Sequence, residues 1–217
     1  MTNKPDSSCE WLEADGLGAY ASGTATGVRT RRYHSLLMVA TTPPTGRKVL
    51  VSGFDAWVET PKGTFAISSQ MYAPGVQNPD GASRIHSFEA APWPRWTYQL
   101  EDGTQVIQEI FVPRDAPMAV VSWRLAKPAR GVHLCVRPFL SGRDYHNLHH
   151  ENPVFCFDAE IKKGRVAWQP YPDVPGVVSL SNAEYVQQPD WYRSFLYTEE
   201  RARGLDHIED LASPGML

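Results

Sequence analysis

The chain has 217 residues, which is enough for one large domain or two small ones. With 42% hydrophobic and 21% charged residues, it has the composition of a globular protein rather than a disordered one. The formal net charge of −3 argues against a domain built mainly to neutralise nucleic-acid phosphates, because such a domain needs a basic footprint.

The apolar runs and the cysteines indicate in which cellular compartment the protein is expected. No apolar run approaches the roughly 18–20 residues that span a bilayer, and the polar segment 1–10 lacks the apolar stretch of a secretory signal. Cys9, Cys135 and Cys156 are too few and too widely spaced for a disulfide framework or a CxxC metal site. We therefore expect a cytoplasmic protein with neither a membrane nor a nucleic acid as its partner.

Short apolar runs that alternate with polar residues follow one another along the chain and predict β-strands. They are rich in β-branched and aromatic residues, and the 18 prolines cluster between them, which disfavours long helices. The predicted strands cover residues 33–40, 48–59, 64–72, 95–100, 104–112, 118–125, 131–139, 154–161, 165–169, 177–181 and 193–197. This pattern predicts an all-β fold, either a sandwich or a barrel.

Two short turns predict hairpins within this series. Asp-Gly at 102–103 and Lys-Gly at 163–164 each join two predicted strands, because a residue that accepts positive φ allows a tight turn. Between residues 131 and 138, Val132, Leu134 and Val136 are predicted to share one face of a strand, with the polar residues on the other.

The C-terminal segment has a different pattern. One short helix is predicted at 199–203, with Thr198 as its N-cap and Gly204 at its end, and a second short turn at 207–211. The segment is dense in charge and stops at Ser213-Pro214-Gly215, a composition typical of a linker. We therefore expect residues 1–197 to form the β domain and residues 198–217 to begin a linker toward another domain.

A glycine-rich segment at residues 15–24 superficially resembles a phosphate-binding loop. However, no apolar strand precedes it, no helical pattern follows it, and the Lys-Ser/Thr pair of a P-loop is missing. We interpret it as a loop with a weak edge strand, in which glycines allow tight turns or close backbone approach.

A basic cluster lies at the entrance to the first predicted strand, where Arg29, Arg31 and Arg32 are followed by Tyr33 and His34. Three cations this close repel one another unless carboxylates or a ligand compensate them. Two interpretations remain open. The cluster is either a solvated strand entrance with salt bridges, or the mouth of a site in which Arg or His holds hydroxyls or a carboxylate.

The densest polar segment is RDYHNLHHEN at residues 143–152, which is predicted to be a loop between two strands. Loops carry binding groups more often than the scaffold does, which favours ligand contacts here. Structural hydrogen bonding is an alternative. A third is a metal held by His146, His149 and His150, whose spacing would put them on one face of a helical turn.

Several segments together carry a family resemblance that runs in order along nearly the whole chain. They are EWL at 10–12, DGLGAYASGT at 15–24, TRRYHSLL at 30–37, RP at 137–138, SGRDYH at 141–146 and HHEN at 149–152, followed by matching residues between Glu200 and Gly215. With these segments the chain resembles the N-terminal domain of bacterial and archaeal glycogen debranching enzymes of the amylo-α-1,6-glucosidase type.

The resemblance implies a large antiparallel β-sandwich, similar to a supersandwich, which precedes an (α/α)6 catalytic barrel. It implies that glycogen or limit dextrin is the substrate of the full glycoside hydrolase. Branch-point hydrolysis would use two carboxylates and no cofactor, and these would lie in the barrel, so that this chain alone is inactive.

On this interpretation the two polar segments gather at one end of the sandwich and help to shape the glucan site of the barrel, because their side chains supply both donors and acceptors for sugar hydroxyls. The candidate substrate-binding residues are Arg31, Arg32, Tyr33, His34, Arg143, Asp144, Tyr145, His146, His149, His150 and Glu151. The alternatives are a purely structural brace for the barrel, a stand-alone carbohydrate-binding or mutarotase-like domain, and a metal enzyme that uses the histidines.

Overall fold

The computed structural model describes residues 6–217. Residues 1–5, which belong to the expected polar N-terminal segment and β domain, lie outside the described residues. The strands are β1 (Glu10–Ala14), β2 (Tyr20–Thr24), β3 (Ser35–Thr42), β4 (Thr45–Thr60), β5 (Gly63–Ala66), β6 (Ser69–Tyr72), β7 (Val76–Asp80), β8 (Ile85–Glu89), β9 (Arg95–Gln99), β10 (Gln105–Phe111), β11 (Val120–Leu125), β12 (His133–Asp144), β13 (Ala159–Lys162), β14 (Arg165–Trp168), β15 (Val177–Leu180), β16 (Val186–Leu196) and β17 (Ile208–Met216). A 3-10 turn spans Ala82–Arg84, and helix α1 spans Thr198–Ala202.

The strands form three antiparallel sheets, which confirms the all-β prediction. The largest has ten strands in the order β1-β2-β3-β4-β12-β17-β16-β6-β7, with β5 paired to β4. Strands β8 to β11 form a four-stranded sheet, and β13 to β15 form a three-stranded one. Within residues 6–217 no helix is long and apolar enough to cross a membrane.

Both predicted hairpins are present. The turn at Asp102-Gly103 connects β9 and β10, in which Gln99 pairs with Gln105. The turn at Lys163-Gly164 connects β13 and β14. Gly103 and Gly164 have φ of 93° and 70°, the left-handed conformation that such turns require.

One core lies between the large sheet and the four-stranded sheet. It contains buried side chains from both, among them Ala56, Val58, Ile67, Trp96, Tyr98, Val106 and Ile110. Val132, Leu134 and Val136 pack against this core, as the period-two pattern predicted.

A second core lies between the large sheet and the three-stranded sheet. It contains Val39, Leu50, Val51, Leu140 and Ala212 from the large sheet, and Phe155, Val166, Trp168 and Val177 from the region of the small one. The two small sheets therefore each cover a part of the ten-stranded sheet.

Several strand predictions need correction. The prediction at 154–161 is wrong over most of its length, because β13 begins only at Ala159. Phe155 and Phe157 instead pack on Trp191, with ring centroids 5.3 and 5.9 Å away, so aromatic packing produces the apolar pattern there. The prediction at 64–72 divides into β5 and β6, and β1, β7 and β8 were not predicted. The weak edge strand in segment 15–24 is β2, which lies between β1 and β3 rather than at an edge.

The C-terminal segment contains the largest correction. Helix α1 confirms the predicted short helix, but Thr198 is its first residue and not its N-cap, which is Tyr197. The expected turn at 207–211 is wrong, because β17 begins at Ile208. Strand β17 lies between β12 and β16 inside the ten-stranded sheet, so residues 208–216 belong to the β domain and not to a linker. The charge that suggested a linker is buried at Glu209, which has an ionic partner in β12.

Candidate functional site

The two polar segments singled out in the sequence meet at one end of the large sheet. The Nη1 atom of Arg32 donates a hydrogen bond to the carbonyl of His146 at 2.6 Å, and the Tyr33 hydroxyl lies 3.2 Å from Nδ1 of His146. Arg143 Nη2 donates to the carbonyl of Arg32 at 2.6 Å. Two segments that lie more than 100 residues apart in the sequence thus come into contact. We call them together the loop rim (residues 30–34 and 143–152).

A cavity of about 490 Å³ opens at the loop rim. It is lined by Arg32, His146, Asn147, Leu148, His150, Asp206, His207 and Ile208. Three of these residues, at 206–208, come from the turn that leads into β17 and were not among the predicted site residues. The adjacent Asp206 and His207 could have indicated a site in the sequence, but we assigned this segment to a linker.

Arg32 connects the three segments around this cavity. Besides its bond to the His146 carbonyl, its Nη2 atom lies 3.5 Å from Oε2 of Glu200 and donates to the carbonyl of Asp206 at 3.3 Å. Glu200, in helix α1, is only 1% exposed and also accepts a hydrogen bond from the Arg32 amide. The helix is therefore fixed to the rim by a charged pair.

Arg143, the first residue of the second rim segment, is buried and does not line the cavity. Its Nε atom is 2.5 Å from Oε1 of Glu209, and its Nη1 atom donates to the carbonyls of Asp144 and Tyr145. Glu209 is fully buried and also accepts hydrogen bonds from the Tyr197 hydroxyl and the His149 amide. These contacts occupy the guanidinium, so it holds the rim in place.

The structure contradicts the alternative of a metal held by His146, His149 and His150. His149 is buried, with Nε2 2.7 Å from the Tyr171 hydroxyl and Nδ1 3.1 Å from the carbonyl of Asp210. Burial lowers its pKa, which keeps the ring neutral. His146 contacts Tyr33 instead, while His150 lies 3.7 Å from a carboxylate oxygen of Asp210. Among residues 6–217, no group of three or more metal-binding side chains is arranged to hold an ion.

The charged candidates at the edges of the rim form local pairs. Arg31 Nε lies 2.6 Å from Glu10 Oε1, and its Nη2 lies 3.6 Å from Glu199. Glu151 pairs with Arg193. These contacts lie on the solvated side of the rim, which agrees with the salt-bridge interpretation of the basic cluster.

Two further candidates, Asp144 and Tyr145, support the loop from within. Asp144 accepts a hydrogen bond from the amide of His146 at 3.0 Å, which holds the turn that presents this histidine. The Tyr145 ring packs between Tyr33 and His146, with centroid distances of 5.8 and 3.9 Å. Of the predicted residues, Arg32, His146 and His150 line the cavity, and the other eight do not.

His34 is buried at 3% exposure and is held in one tautomer. Its Nδ1 atom accepts the Thr30 amide at 3.1 Å, so the proton sits on Nε2, which faces Glu10 Oε1 at 3.4 Å. Burial lowers its pKa from 6.5 to about 4, and the nearby arginines add to this effect against the attraction of Glu10.

This pKa predicts a pH-dependent stability. In the unfolded chain His34 takes up a proton below about pH 6.5, whereas in the folded chain it does so only near pH 4. The contribution of neutral His34 to the free energy of unfolding is therefore fully present above pH 6.5 and is lost as the pH falls toward 4. We expect wild type to lose about 2–3 kcal/mol more than His34→Asn between pH 7 and 4.5, measured by urea unfolding. Asparagine keeps an acceptor for Thr30, and His133→Asn, at an exposed position, serves as the control. Parallel pH profiles for wild type and His34→Asn would contradict the assignment.

Comparison with known protein families gives one finding. The family model described as "Glycogen debranching enzyme N terminal" matches residues 9–217. No curated protein and no solved structure matches the chain.

Proposed function

Because the chain belongs to the glycogen debranching enzyme N-terminal family, we propose that it is the non-catalytic N-terminal domain of a glycogen-debranching α-1,6-glucosidase. In this proposal it helps to shape the glucan-binding site of a downstream (α/α)6 catalytic barrel. The substrate of the full enzyme would be glycogen or its limit dextrin, and no cofactor takes part.

The cavity at the loop rim is the observation that carries the proposal. The residues that line it include His146, Asn147, His150, Asp206 and His207, whose side chains carry imidazole, amide and carboxylate groups. A sugar hydroxyl both donates and accepts hydrogen bonds, and this set of side chains offers both kinds of group. Its volume of about 490 Å³ lies in the range of ligand-binding clefts.

The same lining supports a binding role rather than hydrolysis by this domain. Glycoside hydrolysis takes two carboxyl groups across a cleft. Among the described residues that line the cavity, Asp206 alone carries one. We therefore assign the acid and the base to the barrel.

The residues of the rim divide into two roles in this proposal. His146, His150 and His207 bind glucan hydroxyls, and His207 has Nε2 available because its Nδ1 lies 2.7 Å from the carbonyl of Leu205. Arg32 and Arg143 are positioning residues, since their guanidinium groups bind protein carbonyls and carboxylates. The cysteines at 9, 135 and 156 are free, which suits the cytoplasm as the compartment.

The test is His207→Ala in the debranching enzyme that contains this domain. We expect about tenfold lower kcat/KM on limit dextrin, because one hydrogen bond to the substrate is worth about 1–1.5 kcal/mol. His133→Ala is the matched control, since this exposed histidine lies at the opposite end of β12 from the rim.

The competing function is a brace that only stabilises the barrel, and it is favoured by the number of rim side chains engaged in ion pairs. A brace predicts that His207→Ala changes neither kcat nor KM. Unchanged kinetics with an unchanged unfolding midpoint would therefore defeat the glucan-binding role and leave the brace.

A further inference from the structure

A second cavity lies between the large sheet and the four-stranded sheet, in the core that contains Trp96. Its volume is about 70 Å³, well above the roughly 10–15 Å³ that one water-sized occupant needs. Trp11 and Trp96 form part of its wall, and its polar lining residues are Ser22, Thr24, Arg29, Ser52, Ser68 and Gln108. It is therefore a small, partly open space with a mixed lining, separate from the loop rim.

Arg29 is the unusual member of this lining. It is only 8% exposed, yet it forms neither an ion pair nor a hydrogen bond with any residue of the described chain, and its Nε atom is buried without a partner. Its guanidinium carbon lies 5.3 Å from the centre of the Phe195 ring. Nη1 lies against Gly53, where a β-carbon would come within 2.0 Å of it, and Gly53 also lines the cavity. The guanidinium is thus fixed at the cavity wall by packing alone.

A buried charge without a partner is costly, because its loss of hydration is not repaid. Asp55 is a nearby acid, but its Oδ1 atom is taken up by Ser68 at 3.2 Å and Gln70 at 2.9 Å. Burial raises the pKa of Asp55, and the attraction of Arg29 only partly offsets this. The acid therefore leaves the hydrogen-bonding capacity of the guanidinium unused.

The other unused polar groups of the lining are able to donate. Ser52 is 1% exposed, and its hydroxyl has no partner among residues 6–217. The Gln108 carbonyl oxygen accepts the indole N–H of Trp123 at 2.9 Å, which leaves its NH2 group for another contact. A permanent positive charge that is surrounded by further hydrogen-bond donors favours an anion that accepts hydrogen bonds.

We propose that this cavity is a binding site for a small monovalent anion, held by Arg29 with Ser52 and Gln108 as further donors. The guanidinium supplies the charge, and the neutral donors complete the coordination of an ion such as chloride or formate. The volume limits the occupant to this size class. The site would stabilise the packing of the two sheets, since anion and guanidinium both lie between them.

The experiment measures binding of chloride itself. The 35Cl NMR line width of a chloride solution should broaden on addition of the 217-residue chain, and formate should reverse the broadening by competition. In Arg29→Met the excess broadening should disappear, while Arg130→Met, at an exposed arginine, should behave as wild type. Broadening that is equal in wild type and Arg29→Met would overturn the proposal.

A milder variant guards against misfolding of Arg29→Met. Ser52→Ala removes one hydroxyl from a buried position and should weaken chloride binding about tenfold, the loss expected for one hydrogen bond to a charged group. Chloride should also raise the urea midpoint of wild type saturably at constant ionic strength, with gluconate as the balancing anion. If the urea midpoint of wild type were the same in chloride and in gluconate, the cavity would not bind chloride.

Discussion

Replacing Arg143 by methionine is expected to lower the free energy of unfolding by about 3–5 kcal/mol. The substitution leaves Glu209, which is fully buried in β17, without its ionic partner 2.5 Å away. The Tyr197 hydroxyl and the His149 amide would still donate to Glu209, but neither carries a compensating charge. Urea unfolding followed by tryptophan fluorescence measures the loss.

Arg193→Met is the matched control for this prediction. Arg193 pairs with Glu151, but the two side chains are 55% and 42% exposed, so water screens the pair. Its loss should therefore cost far less stability than the loss of Arg143. The double variant Arg143→Met with Glu209→Leu should regain part of the stability lost in the single variant, because it leaves no buried charge. A similar small loss for Arg143→Met and Arg193→Met would contradict the role of the buried pair.

Trp96→Ala is expected to lower the free energy of unfolding by about 3–5 kcal/mol, since it opens a cavity in the core between two sheets. The Trp96 side chain is 1% exposed, and its ring centroid lies 5.7 Å from that of Trp11 and 5.0 Å from that of Phe88. Its indole N–H also donates to the carbonyl of Ala25 at 2.8 Å, which fixes the loop before Arg29. Thermal and urea unfolding both report the change.

Two variants separate the contributions of Trp96. Trp96→Phe keeps most of the ring packing but loses the bond to Ala25, and should cost clearly less than the alanine variant. Trp93→Ala removes an indole that is 39% exposed and should cost far less than Trp96→Ala. If Trp93→Ala and Trp96→Ala lost equal stability, the core between the sheets would not be the one described.

The strands and hairpins predictable from the sequence are those whose signal is local. Val132, Leu134 and Val136 alternate with polar neighbours because one face of β12 meets the four-stranded sheet. The Asp102-Gly103 turn is predictable since only a few residue pairs adopt its backbone conformation. Such features need no knowledge of the partner strand.

Strand β17 could not be predicted in the same way. Its sequence, IEDLASPGM, carries two acids, a serine and a proline, which together indicate an exposed segment. Glu209 is tolerated inside the sheet only because Arg143 and Tyr197 arrive from β12 and from the end of β16. A strand that is stabilised by residues distant in the sequence need not show the alternating apolar pattern that predicts a strand.

The candidate site was predictable in part for a related reason. Residue types alone indicated that the 30–34 and 143–152 segments are polar clusters, and the structure brings them into contact at Arg32 and His146. Which side chains face the cavity depends on burial instead. His34 and His149 have the same chemistry as His146, yet both are turned into the protein by backbone and tyrosine partners.

The central place of β17 has a consequence for biosynthesis. The ribosome releases β12 long before β17, and in the finished sheet these two strands are neighbours, with β16 on the far side of β17. During translation the growing chain therefore holds two unjoined partial sheets, each with an open edge that other chains could pair with. Residues 208–216 close this gap, so we expect nascent chains that stop before residue 208 to depend on chaperones and to aggregate when released.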